Sequence, residues 1–287
     1  MRNFIYLIIA IIISITLTSG IQNTGRSTKS ITLQSTVKNT DLVALNKSAE
    51  IITSRLKLFG ISSAEVKVSA GDGQITVYIP DNTEISDIEG LLTSKGDLAF
   101  YETFTHSEIA DLIKPDSQFY KLLNQDNMKS PSDPRVGCTN ADNQKKTDEY
   151  LRSSLPVKNC KFKWGSESKK SAYCLFALKT KEDGKPLLTR LDIETVKIAK
   201  TTDLQGVKIQ IKLKPDAATI FAEATRNNIH KSIAVVIDDK VISWPRVQDA
   251  IEGGEIEVTG DFTENEAKFF PVIFNTEQLP LSFRIVK

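Results

Sequence analysis

The chain has 287 residues, 40% hydrophobic and 25% charged, which excludes a disordered polymer and leaves length for two ordinary domains. Its 37 basic and 36 acidic side chains give a formal charge of +1, so charge gives no reason to expect nucleic acid or an anionic membrane surface as a partner. The N-terminus stands apart from the rest. Met1-Arg2-Asn3 carries one positive charge, and Phe4 to Leu17 is apolar except for Ser14 and Thr16. Thr18-Ser19-Gly20 follows at once. A membrane-spanning helix needs about 20 apolar residues, and this run is shorter. Residues 1–20 therefore read as a secretory signal peptide, with an uncleaved N-terminal membrane anchor as the alternative. Residues 21–30 are polar and read as a linker. The body is expected outside the cytoplasm, touching a membrane only through its first segment.

Ile31 to Val37 alternates as a strand. Asp41 to Phe59 has helical spacing at Leu42, Leu45, Ala49, Ile52, Leu56 and Phe59, with Asp41 placed to cap it and Gly60 to end it. Glu65 to Val68 and Gln74 to Ile79 predict strands joined by a turn at Ala70-Gly71-Asp72-Gly73. A short amphipathic helix follows over Ile85 to Leu92, and Leu98 to Phe104 is strand-like. This order is β-α-β-β-α-β, the ferredoxin-like alternation.

His106 to Asn124 predicts one or two helices. Asp126 to Asn143, rich in Asn, Asp, Ser and Pro, reads as an exposed loop, and Asp142 to Ser153 as a short helix. Lys158 to Trp164 and Ser171 to Leu178 predict a hairpin turning at Gly165 to Ser168. If that turn centres on Glu167, Cys160 faces Cys174, within reach of a cross-strand disulfide. Two buried free thiols are the alternative, and Cys138 is a competing partner. Val207 to Leu213 alternates strongly, and its edge is a candidate for pairing with an extended polypeptide, unless its lysines blunt it. Pro215 opens a helix with the stripe Ala217, Ile220, Phe221 and Ala224. Ser232 to Ile237 and Val241 to Ser243 form a hairpin about Asp238-Asp239-Lys240. Glu255 to Val258 is a strand, Thr263 starts a helix, and Leu281 to Val286 is a closing strand.

No catalytic site is signalled. His106 and His230 lack ligand neighbours at metal spacing. The pairs Asp238/Asp239 and Glu264/Glu266 follow turn and helix-start preferences. Neither a CxxC, a Gly-x-Ser-x-Gly nor a phosphate loop occurs, so no metal and no cofactor is expected.

Three C-terminal stretches together resemble the SecD family of protein-export subunits. They are Phe221–Val236 (FAEATRNNIHKSIAVV), Asp239–Pro245 (DKVISWP) and Gly253–Ala267 (GGEIEVTGDFTENEA). Leu279-Pro280 then stands where the family has Leu-Pro before a membrane helix. Ile52–Ile61 (ITSRLKLFGI) and Gly73–Pro80 (GQITVYIP) are similar to two earlier family segments. Thr105 to Asp203 matches weakly or not at all.

The resemblance implies an α+β protein: a ferredoxin-like βαββαβ base with an inserted α+β head. On this reading the base spans residues 31–104. The head spans 105–254, with a variable insertion at 105–206, and 255–287 returns to the base as a helix and strand. The resemblance also implies a place in the periplasm or on the outer face of the inner membrane. Unfolded or extended polypeptide and components of the Sec translocon are the implied partners. The Asp-Leu-x-Gly-Gly segment usual after the family's first membrane helix is not found, nor are its further membrane helices, so proton coupling is not carried over. The expected form is a stand-alone, truncated SecD-like module. A structural or interaction protein of an envelope complex that reuses the fold is the alternative. Trp244 and Pro245 are candidates for polypeptide contact, and Gly253, Gly254 and Gly260 for a hinge between head and base; plain turn chemistry is the alternative for the glycines, and packing on the head for Trp244.

Overall fold

A computed structural model describes residues 27–113, 117–124, 130–154, 157–167, 172–200, 207–258 and 264–286. The apolar N-terminal segment, most of the linker, Thr263 and Gly260 lie outside the described residues. In chain order, the first elements are β1 (Thr28–Ser35), α1 (Leu42–Phe59), β2 (Glu65–Ser69), β3 (Gln74–Pro80), α2 (Ile85–Thr93) and β4 (Leu98–Glu102). Next come α3 (His106–Leu112), α4 (Ser117–Leu122), β5 (Arg135–Thr139), α5 (Ala141–Ser154), β6 (Cys160–Glu167) and β7 (Ala172–Lys179). The remainder is β8 (Leu188–Thr189), β9 (Ile193–Lys200), β10 (Val207–Leu213), α6 (Pro215–Asn227), β11 (Ile233–Ile237), β12 (Lys240–Ser243), β13 (Glu255–Val258), α7 (Glu264–Phe274) and β14 (Phe283–Val286). The protein is α+β, as expected.

The first body is an antiparallel sheet of order β14-β1-β3-β2. Alternation along β1 and β3 sends Ile31, Leu33, Ile75, Val77 and Ile79 to one face, because strand side chains repeat every second residue. Leu45, Ile52 and Leu56 of α1, with Ile88, Leu91 and Leu92 of α2, cover that face. Asp41 caps α1 by accepting a hydrogen bond from the Ala44 amide, and Gly60 ends it at φ 111°, a conformation that only glycine adopts cheaply.

The strand that completes this sheet differs from the expected one. Leu98–Glu102 pairs with β11 and β8, in a seven-stranded sheet of order β5-β7-β6-β12-β11-β4-β8. β14 takes its place, pairing Phe283 with Ser35 and Val286 with Thr32. An alternating pattern says that a segment is a strand but not which sheet receives it.

The second body is built on the seven-stranded sheet. β11 is buried at every residue, because both of its faces are covered. Ile233, Val235 and Ile237 face α6 and a small sheet of order β13-β10-β9. Ala234 and Val236 face the other way, with Phe176 and the cystine. Three further departures lie here. The expected loop Asp126 to Asn143 contains β5, whose Val136, Gly137 and Cys138 are buried. Glu255–Val258 pairs with β10 in this second body rather than leading back to the first. Ile220, expected on the buried stripe of α6, is 41% exposed, while Ala217, Phe221 and Ala224 are buried.

α7 joins the bodies. Val272 and Ile273 enter the core of the first, Phe270 enters the core of the second, and Phe269 packs against both.

Candidate functional site

The disulfide links Cys138 to Cys174, and Cys160 is free. The β6–β7 register sets Cys160 against Lys179 and Gly165 against Cys174, so the pairing is centred later than Glu167. On its other side β7 pairs with β5, which places Cys138 beside Cys174. The expected Cys160–Cys174 bridge is therefore replaced. Burial pushes the Cys160 thiol up to about 12, since the charged thiolate is disfavoured away from water.

Gly253 is exposed, with open space where a Cβ would stand. Gly254 is buried at φ 66°, and a Cβ there would lie 2.5 Å from the Ala218 Cβ. This is a tight turn into β13 against α6. The joint between the two bodies lies elsewhere, where the chain crosses at residues 94–97 and 274–279.

Two arginines fasten that crossing. Arg55 is fully buried. Its Nε donates to Thr276 Oγ1 at 3.2 Å, and its Nη1 to the carbonyls of Leu91 at 3.1 Å and Ser94 at 2.6 Å. Its Nη2 reaches the carbonyls of Lys95 at 3.4 Å and Glu277 at 3.3 Å. Arg190, from the second body, donates to Gly96 O at 3.1 Å, to Phe274 O at 3.1 Å and to Thr276 O. Burial lowers Arg55 to about 10, partly offset by Asp238 and reinforced by Arg190, so it stays charged at neutral pH. Asp238 accepts from the Asp97 amide at 2.9 Å and from Ser94 Oγ. A buried cation is tolerable only when its donors are satisfied in this way. Arginine on a helix ordinarily reads as a solvent-facing residue, so Arg55 is marked in the sequence only as part of the Ile52–Ile61 stretch. Its place among apolar helical positions was the available signal.

Trp244 packs on Phe176, with ring centroids 4.7 Å apart, and so contributes to the body of the second lobe. Pro245 is exposed and borders a slit of about 380 Å³. Phe100, Phe221, Ile233, Val235, Val247 and Ile256 give the slit apolar walls, and Arg246, Asp249, Glu255 and Glu257 lie at its rim. One side is β13, and the other is β4 and β11. The loop after Pro245 is pinned: Ile251 N donates to the buried Thr225 Oγ1 at 2.9 Å, and Val247 N to Lys231 O at 2.8 Å. Val207–Leu213 does not offer the free edge expected of it, because β10 lies between β9 and β13. Among the described residues no group of three His, Cys, Asp or Glu is placed to hold a metal, and no helix is long and apolar enough to cross a membrane.

Residues 170–281 match the family model of the SecDF P1 head subdomain. That range contains β9 to β13, α6 and the whole slit apart from Phe100. Over those residues the chain is similar to the head of a SecD-type first periplasmic domain. A SecD protein translocase subunit of Calditerrivibrio nitroreducens is 37% identical over 79 residues, 28% of this chain and 15% of that protein. The SecD of Borreliella burgdorferi is 24% identical over 244 residues, covering 84% of this chain and 38% of the relative. The chain thus spans well under half the length of these SecD relatives. A crystal structure of SecDF in a super-membrane-facing form covers 90% of this chain, with a TM-score of 0.51 at 19% identity, over 29% of its own length. That likeness concerns the fold.

Proposed function

We propose that this chain is a SecD-like component of protein export outside the cytoplasm, and that its head holds an extended segment of polypeptide in the slit beside Pro245. The slit carries this reading. It is concave, has apolar walls and a polar rim, and lies at the low end of the roughly 300–1,000 Å³ typical of ligand sites. Such an opening suits a few apolar side chains of an unfolded chain better than a cofactor. Relatives named as protein translocase subunits support the export setting, and a disulfide fits an oxidising compartment. Components of the Sec translocon are the expected partners. On this reading the protein grips its client without chemical transformation.

The test is fluorescence anisotropy of the full chain with a labelled, reduced and carboxymethylated protein, alongside Ala250→Trp, which fills the slit. Saturable binding, weakened at least tenfold by Ala250→Trp, is expected. Equal binding by both proteins, or none by the unaltered chain, would overturn the reading.

A further inference from the structure

The rim of the slit includes the outer edge of β13. Glu255, Ile256 and Glu257 all border the slit, and β13 pairs only with β10 among the described residues. The direction of its backbone groups follows from the register. Lys212 faces Glu255, so Leu213 faces Gly254, and the Leu213 amide donates to Gly254 O at 2.9 Å. In an antiparallel pair, residues alternate between exchanging both backbone hydrogen bonds with the partner and directing them away. Gly254 and Ile256 therefore bond inward to β10. Glu255 and Glu257 point their N–H and C=O groups outward, along the slit.

We infer that an extended segment is held by adding to β13 as a fourth strand of the small sheet, and that the preferred segment places an apolar residue between basic ones. Strand addition satisfies the outward groups of Glu255 and Glu257 whatever the client's sequence. Directly opposed residues share a face. A client residue opposite Ile256 therefore points to the side on which Ile256 is buried, toward the apolar slit. Residues opposite Glu255 and Glu257 point to the solvent face, beside two carboxylates.

The inner neighbour shows the matching chemistry. β10 reads Lys208-Ile209-Gln210-Ile211-Lys212; Lys208 pairs with Glu257 at 3.4 Å, and Gln210 donates to Glu257 at 3.2 Å. Attraction from Gln210 and Lys208 lowers the Glu257 carboxyl. Glu255 has no ion-pair partner among the described residues. The outer edge offers the same acids to an incoming strand with the same alternation.

This inference rests on the proposal that the head holds polypeptide, and its test separates the two. A labelled peptide containing the Lys-Ile-Lys pattern is titrated into the full chain. The comparison is between Glu257→Pro, which removes one outward N–H while following an extended residue, and Glu257→Ala, which removes only the carboxylate. Proline is tolerated in an edge strand where its N–H would face outward. Strand addition predicts at least tenfold weaker binding by Glu257→Pro than by Glu257→Ala. It also predicts severalfold weaker binding by Glu255→Lys, and slowed hydrogen exchange at the Glu255 and Glu257 amides of the unaltered chain when peptide is present. The exchange measurement decides the matter if Glu257→Pro fails to fold. Equal affinities for Glu257→Pro and Glu257→Ala, with unchanged exchange, would overturn strand addition. If Ala250→Trp still abolished binding, the holding of polypeptide would survive that result. Dimers in sedimentation that lock the β13 edges of two copies together would also overturn it. A peptide and an unfolded protein that both fail to bind the unaltered chain would remove the underlying reading.

Discussion

The base and the head are closed in different ways. In the base, every strand of the β14-β1-β3-β2 sheet feeds one continuous core under α1, α2 and α7. At its far end Arg55 binds the crossing segments, and Arg190 ties the same segments to the head. The head divides its apolar residues among three clusters, joins two of its strands by a disulfide and leaves a slit beside an unpaired strand edge. Space left as an opening is not available for packing. The head adds a covalent fastener to its apolar clusters, which makes the two regions separable by experiment.

The disulfide offers the largest expected break. Its two cysteines are 36 residues apart, and a cross-link of that length stabilises by about 4 kcal/mol in the chain-entropy picture. Cys138→Ala with Cys174→Ala should lower stability by about that amount. Hydrogen exchange should rise in β5 and β7 while β1 and β3 stay protected; equal loss in both regions would merge what is contrasted here.

Arg55→Leu should cost about 3 kcal/mol in thermal or denaturant unfolding, because the carbonyls of Leu91, Ser94, Lys95 and Glu277 lose their donors inside the protein. Arg55→Lys should recover only part of this, since an ammonium lacks the planar fork. Both bodies should loosen near residues 94–97 and 274–279. A neutral Arg55→Leu would mean that the joint is held by α7 and Arg190 without it.

Acid sharpens the comparison further. Burial alone would raise Glu108, but the hydrogen bonds from Lys231 and the Thr105 amide, with attraction from Lys179 and Lys231, outweigh it and hold the group at about 2. A carboxyl lowered on folding stabilises fully above its unfolded value of about 4.3 and loses that contribution as pH falls toward the folded value. Glu108→Gln should flatten the stability profile between about pH 4.5 and about 2, and only for the head. An unchanged slope would contradict the Lys179–Glu108–Lys231 cluster.

The smallest effect is chemical. With its thiol raised to about 12, Cys160 should resist iodoacetamide at pH 8 in the folded protein and react on unfolding, because the thiolate is the reactive form. Rapid labelling of folded protein would place Cys160 in a wetter setting than the head core.

The sequence carries local structure more clearly than assembly. Asp41 and Gly60 mark the ends of α1 because their chemistry acts within a few residues. The positive φ of Asp238 and Asp239 suits the tight turn expected of that hairpin. β5 was hidden because Arg135-Val-Gly-Cys-Thr139 carries few apolar residues and sits among turn formers. β9 was hidden because it lies at a sheet edge, with Val196 its one fully buried residue among those described. Placement within sheets was out of reach, so β4 was assigned to the base and β10 was expected to show a free edge. Pro245, singled out in the sequence for polypeptide contact, borders the slit. The other wall, β13, was not legible, because the groups that matter there are backbone groups common to every residue.

The most direct measurement is site-specific photocrosslinking in cells, with a photoreactive residue at Ala250 in the slit or at Val43 on the exposed face of the base helix. A head that holds exported polypeptide should crosslink to chains in transit from position 250 and not from position 43. Equal capture from both positions, or none from 250 while Sec partners are captured elsewhere, would contradict it.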